Sequence, residues 1–179
     1  MLTYWDIKNK LKSISRLDLL SATAVGRNGH LINIIKEFKP KNIIEIGTYN
    51  GISTVILASM VDHIYTFDIA YRDVEYILNL FNLRHKVSIC VAPQHQIDFE
   101  LKCIKDKEPA YWNNRFDFDF AFIDGEHTEE VVRHDFELVK FCGRVLFHNA
   151  DWPPINIFLK GIGAKTIDSR GGFGYWQSD

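Results

Sequence analysis

Asn42-Ile43-Ile44-Glu45-Ile46-Gly47-Thr48-Tyr49-Asn50-Gly51 is the stretch that decides how this chain folds. It reads as a buried strand ending in an acidic residue, then a glycine turn, then a helix beginning near Ile52. Such a junction suits a nucleotide-like ligand. Glycine lets the backbone come close, and a helix start carries unpaired N–H donors. The turn is Gly-x-x-x-Gly rather than Gly-x-Gly-x-x-Gly, so it departs from the dinucleotide fingerprint.

Outward from this stretch, apolar runs and helical patterns alternate. Upstream, an opening helix is expected over about Tyr4–Leu20 and a second over Gly29–Phe38, which Pro40 stops. Downstream come a helix with Val55, Leu57 and Ala58, the strand His63–Asp68, a helix around Val74–Phe81 and the strand Val87–Val91. Pro93 opens a helix over about Gln96–Ile104, and residues 105–115 read as a surface loop. The strand Phe118–Ile123 follows, with Phe116, Phe118, Phe120 and Phe122 as one buried face. Thr128 is the N-cap candidate for a helix over Glu129–Lys140, whose first-turn acids suit the helix dipole. The strand Arg144–Phe147, a short helix near Ile155–Leu159, and the strands Lys165–Asp168 and Phe173–Gln177 complete the chain, with Gly171-Gly172 as the turn between the last two. Continuously apolar strands separated by helices imply an α/β, Rossmann-like fold. The expected sheet has about seven mostly parallel strands, helices on both faces and a C-terminal antiparallel hairpin.

The 179 residues suit one domain, 1–179, with N-terminal helices over 1–39 and an α/β core over 40–179. Apolar residues at 46%, charged residues at 25% and a net charge of -2 are ordinary globular values and argue against a generally basic nucleic-acid surface. No basic segment followed by an apolar run opens the chain, and no stretch reaches a membrane span. Cys90, Cys103 and Cys142 lack metal spacing, and Cys90 and Cys142 read as buried thiols. These features predict a protein in a reducing, cytoplasmic setting, with no membrane span and no general nucleic-acid surface. A homodimer stays open.

In an open parallel sheet, ligands sit at the carboxyl ends of the strands. Here those ends carry Glu45 and Gly47, Asp68, Ala92-Pro93-Gln94, Asp124, and His148-Asn149. Asp68 lies about twenty residues past the glycine turn, where a carboxylate accepts hydrogen bonds from two ribose hydroxyls. Its plain alternative is a helix N-cap.

The series Glu45-Ile-Gly47-Thr-Tyr-Asn-Gly51, Phe67-Asp68, Phe122-Ile-Asp124-Gly-Glu-His127 and Val145-Leu-Phe-His148-Asn149 resembles a class I S-adenosylmethionine-dependent methyltransferase. It is most similar to the small O-methyltransferases of the catechol and caffeoyl-CoA type, from about Gly26 to the C-terminus. The resemblance implies that Gly47, Thr48 and Gly51 pass close to the methionine moiety of the cofactor. Glu45 would hold the loop or the cofactor's amino group, Asp68 the ribose, and Gln94 would lie near the adenine. In metal-dependent relatives, carboxylates at the positions of Asp124 and Asn149 bind a divalent ion, with an amide at the next position. Here those last two are Asn149 and Ala150. Asp124, Asn149 and Asp151 offer oxygen to magnesium or calcium, and Asp124 with His148 and His127 suits a softer ion. Without an ion, Asp124 is a loop-holding or capping residue.

Methyl transfer from a sulfonium requires alignment of the reacting atoms and removal of a proton from the acceptor. His127 is the candidate base, three residues after Asp124, and its plain alternative is a helix cap. His148 either points into the site or ends the strand. His30, His63, His85 and His134 read as surface or packing residues without convergent partners, and His95 reads the same way. Tyr111, Trp112 and Trp152 form either an acceptor wall or, more plainly, a core edge or dimer contact. The leading expectation is O-methyl transfer to a small molecule or sugar. An inactive module that keeps the fold is one alternative. A nicotinamide-dependent dehydrogenase is another, and the glycine spacing counts against it.

Overall fold

The computed structural model describes residues 1–20, 29–70, 72–107, 117–168 and 172–178. Its seven-stranded sheet runs β3-β2-β1-β4-β5-β7-β6. The strands are β1 (Asn42–Ile46), β2 (His63–Asp68), β3 (Val87–Val91), β4 (Phe120–Ile123), β5 (Arg144–Phe147), β6 (Lys165–Asp168) and β7 (Phe173–Gln177). β1 to β5 are parallel, while β7 pairs antiparallel with both β5 and β6. The mixed sheet and C-terminal hairpin are those the sequence predicts. The helices are α1 (Tyr4–Ser13), α2 (His30–Phe38), α3 (Ile52–Ala58), α4 (Val74–Leu80), α5 (Gln94–Asp106), α6 (Glu129–Val139) and α7 (Pro153–Gly161).

Strand alternation sorts the apolar residues into two cores. Ile43, Ile64, Phe120, Phe122 and Leu146 face α1 to α4. Ile44, Tyr65, Phe67, Ile123 and Phe147 face α5 to α7. Both faces of the sheet are thus covered, which is why its strands carry no polar stripe.

Three boundaries differ from the sequence reading. α5 opens at Gln94, directly after Pro93, and runs to Asp106, so residues 105 and 106 are helix rather than loop. The opening helix ends at Ser13, where Ser13 Oγ donates to the Lys10 carbonyl and Ser15 turns left-handed at φ 58°. The chain resumes as a 3-10 turn, Leu17–Leu20. Serines that bond the local backbone compete with helix continuation, and the apolar spacing hid this. β4 starts at Phe120, because the Asp119 carboxylate accepts the Lys41 and Asn42 N–H groups at 3.0 Å each. Phe118 therefore leaves the expected face and packs with the opposite core, against Tyr65. Phe116, the loop over 108–115 with Tyr111 and Trp112, and Gly171 lie outside the described residues.

The strand order reverses between β1 and β4, and this switch point positions the site. Beyond the strands the ladder continues. Gly47 N–H donates to the Phe67 carbonyl, Asp124 N–H to Ile46 and His148 N–H to Ile123, at 2.8–3.0 Å. These bonds bring Gly47, Asp124 and His148 into one row along the carboxyl edge.

Candidate active site

Two cavities meet at that edge. The first, of about 250 Å3, is lined by Gly47, Tyr49, Asp68, Gln94, Ile97, Asp124, Gly125, Glu126, Val131 and Asp135, together with Ile46, Phe67 and Ile69. It lies at the switch point and carries four carboxylates, with no lysine or arginine among the described residues of its lining. The second, of about 690 Å3, is bounded by His127, Thr128, Glu129, Asn149, Asp151, Trp152 and Pro154.

The glycines of the turn are demanded by the protein itself. Gly47 has φ +95°, and a Cβ there would stand 2.3 Å from the Asp124 carbonyl oxygen. Gly51 has φ +80°, and its Cβ would meet Val74 Cγ2 at 2.7 Å. Both angles are costly for side-chain-bearing residues, and both close approaches are to neighbouring chain. Gly47 lines the cleft; Gly51 is buried away from it.

Glu45 is fully buried beneath the turn. It accepts from Ser53 Oγ (2.7 Å), Thr54 Oγ1 (2.6 Å) and Thr66 Oγ1 (2.7 Å). Thr48, 2% exposed, bonds Thr66 Oγ1 at 2.6 Å. Glu45 and Thr48 thus hold the junction of β1, β2 and α3, and neither is in the lining of these two cavities. Burial pushes the Glu45 carboxyl up to about 7, and the three hydroxyl donors oppose that rise.

Asp68 accepts the Tyr49 N–H at 2.7 Å and the Ala70 N–H at 2.9 Å, which fixes its carboxylate at the cleft mouth. It does not cap α4, whose N-cap is Asp73. Gln94 opens α5 beside the same cleft, its amide donating to Asp98 at 2.9 Å. His95 lines a separate groove between α5 and α6.

Between the two cavities, Asp124 of the first lies with its Oδ1 2.6 Å from His148 Nδ1 and 3.9 Å from Nε2 of His127, which lines the second. A carboxylate only accepts, so His148 Nδ1 carries the proton of that bond. Asn149, left-handed at φ 53°, directs its amide to His127 Nε2. The structure therefore brings Asp124, His127, His148 and Asn149 together, as the sequence reading grouped them. Thr128 caps α6 by accepting the Val131 N–H at 3.4 Å, which leaves His127 free of that duty. Asp151 packs over Gly172, and Ala150 is buried.

The ligating atoms of Asp124, His127 and His148 lie within 4.8 Å of one another. One carboxylate and two imidazoles form a nitrogen-rich donor set. Magnesium prefers an octahedral cage of oxygens, so this set does not fit it; a borderline transition ion would suit it better.

Three histidine and cysteine expectations need correction. His134 has partners, Asp98 at 3.3 Å and Asp135 at 3.6 Å. His63 bonds Ser88 Oγ at 3.0 Å. Cys90 is only half-buried, while Cys103 is buried with Cys142. The sequence reading missed Asp135, 2% exposed in the first cavity. Its position in the buried stripe Val132, Asp135, Phe136 and Val139 of α6 was the available signal, since an acid on an apolar stripe requires a reason.

A family model described as a methyltransferase domain matches residues 44–148. Among solved structures, the O-methyltransferase from Bacillus cereus in complex with SAH superposes with a TM-score of 0.68 at 18% identity, covering 98% of this chain and 90% of that one. The O-methyltransferase TomG from Streptomyces achromogenes, in complex with SAM, gives 0.64 at 17% identity, over 96% and 86%. SAH-bound PaMTH1 from Podospora anserina gives 0.64 at 15%, over 97% and 86%. At these identities the superpositions establish a shared fold. The family match is independent of them, spans more than half of the chain and includes both the glycine turn and the Asp124–His148 cluster, and on it the chain belongs to the methyltransferase-domain family.

Proposed function

We propose that this protein is an S-adenosylmethionine-dependent methyltransferase that transfers the methyl group to an oxygen of a small-molecule or sugar acceptor. One observation carries the reading: among the described residues, the switch-point cleft is lined by Asp68, Asp124, Glu126 and Asp135 and by no basic side chain. Such a cleft favours a nucleoside cofactor with positive charge, as a sulfonium has. Its negative charge is unfavourable to a pyrophosphate and, with the glycine spacing, counts against the nicotinamide alternative.

In this reading Asp68 accepts the ribose hydroxyls, Gln94 flanks the adenine, and the Gly47 backbone lies beside the methionine moiety. Thr48, Gly51 and Glu45 act through the turn, holding it rather than touching the cofactor. The cofactor's electrophilic carbon then faces the second cavity, where the acceptor binds against Trp152. His127, 45% exposed, takes the acceptor's proton at Nε2, exchanging the Asn149 amide for the hydroxyl. Asp124, held in place by its hydrogen bond to His148, sets a negative charge 3.9 Å from that nitrogen and so favours the developing imidazolium. Magnesium has no part in these steps, because its donor set does not fit.

Calorimetry with S-adenosylmethionine and SAH tests the first step. Saturable binding is expected, weakened about 10- to 100-fold in Asp68→Ala through loss of charge-assisted hydrogen bonds. Absence of both heat and thermal shift with either ligand refutes the proposal.

A further inference from the structure

Asp135 projects from α6 into the cleft and is 2% exposed. One carboxylate oxygen, Oδ1, lies 3.6 Å from His134 Nδ1, and His134 in turn reaches Asp98 from α5 at 3.3 Å. The other oxygen faces Gly125. A Cβ at that position would stand 3.5 Å from Asp135 Oδ2, so the missing side chain leaves this oxygen uncovered. The same cleft is lined by the apolar side chains of Ile97 from α5 and Val131 from α6. A flat ring fits between such walls, and a buried acceptor at their edge asks for an N–H donor. Burial pushes the carboxyl up to about 6, a cost that a donor in the cleft would relieve.

The ligand's orientation follows from the rest of the lining. Asp68 and Tyr49 mark the ribose end, and Gly47 with Asp124 marks the end next to the second cavity. Gln94, Ile97, Gly125, Val131 and Asp135 are left for the base. We propose that Asp135 reads the exocyclic amine of the purine, accepting its N–H at Oδ2, and so makes the cleft selective for adenine. The assignment rests on the cofactor reading above. The chemistry is that of any acceptor matched to adenine N6, a donor that other purines lack.

The test compares SAH with its analogue carrying hydrogen in place of the N6 amine, both by calorimetry. Wild type should bind SAH about 10- to 100-fold more tightly than the analogue. Asp135→Ala should bring the two affinities together by weakening SAH alone. Asp135→Asn, whose carbonyl still accepts, should keep part of the preference. Equal binding of both ligands by wild type overturns the assignment while leaving the cofactor reading intact. So does equal weakening of both by Asp135→Ala, the mark of a purely structural role. Should Asp135→Ala fail to fold, the wild-type ratio and the Asn variant decide. A wild type that binds neither ligand overturns the cofactor reading and this assignment with it.

Discussion

At the β1–β2 end of the cleft the polar groups are tied to the protein itself: Glu45 to three hydroxyls, Thr48 to Thr66, Asp68 to two backbone N–H groups. At the β4–β5 end, Asp124, His127, His148 and Asn149 satisfy one another, and His127 and Asn149 border a cavity of about 690 Å3. The first end is a frame, in which residue type is fixed by packing and backbone angle. The second is a set of titratable side chains whose partners an incoming molecule can replace. The difference separates residues whose loss costs folding from residues whose loss costs chemistry.

Gly47→Ala should give the largest effect and tests the frame. The added methyl meets the Asp124 carbonyl at 2.3 Å in a left-handed backbone, so neither a rotamer nor a local shift relieves it. A loss of about 3–5 kcal/mol is expected in urea unfolding, combining overpacking with backbone strain. A variant of wild-type stability that had lost only cofactor binding would break the comparison, placing the glycine with the chemistry.

His127→Ala makes the opposite test. The side chain is 45% exposed and outside both hydrophobic cores, so the melting temperature should barely move. Turnover should fall by about 10²- to 10³-fold while cofactor affinity is retained, as loss of a general base predicts. Parallel loss of stability would assign His127 to the frame.

The same distinction explains what the sequence disclosed. The β1 strand, the glycine turn and Asp68 were legible because short-range constraints write them: apolar runs, positive φ and a fixed interval to the next strand. The grouping of Asp124, His127, His148 and Asn149 was legible because adjacent parallel strands bring their ends together. Asp135 was legible only as an acid on the apolar stripe of α6, since its task depends on α5 and on an absent side chain at Gly125. The reach of α1 and the start of β4 were also hidden, because Ser13 and Asp119 act through hydrogen bonds that hydropathy does not register. Glu45 was found for its place but not for its task, since its hydroxyl donors come from α3 and β2.

That task gives the smallest of the expected effects, a pH dependence. The Glu45 carboxyl has a folded value of about 7 against an ordinary 4.5. Below pH 4.5 it is protonated in both states and imposes no penalty. As pH rises through 4.5 to 7 the unfolded chain ionises first, so stability falls, by about 3 kcal/mol when the folded value is passed. Asp135, raised from 3.8 to about 6, acts with the same sign at lower pH, and His63, lowered from 6.5 by burial, acts with the opposite sign, so Glu45 is isolated by the difference between wild type and variant over about pH 6 to 7.5. Glu45→Gln should flatten urea-unfolding stability across that interval. It should also cost some stability at pH 5, because one amide carbonyl cannot accept from Ser53, Thr54 and Thr66 together. An unchanged slope in the variant would mean that the hydroxyls hold Glu45 as a settled carboxylate, and that the frame carries its charge at no cost.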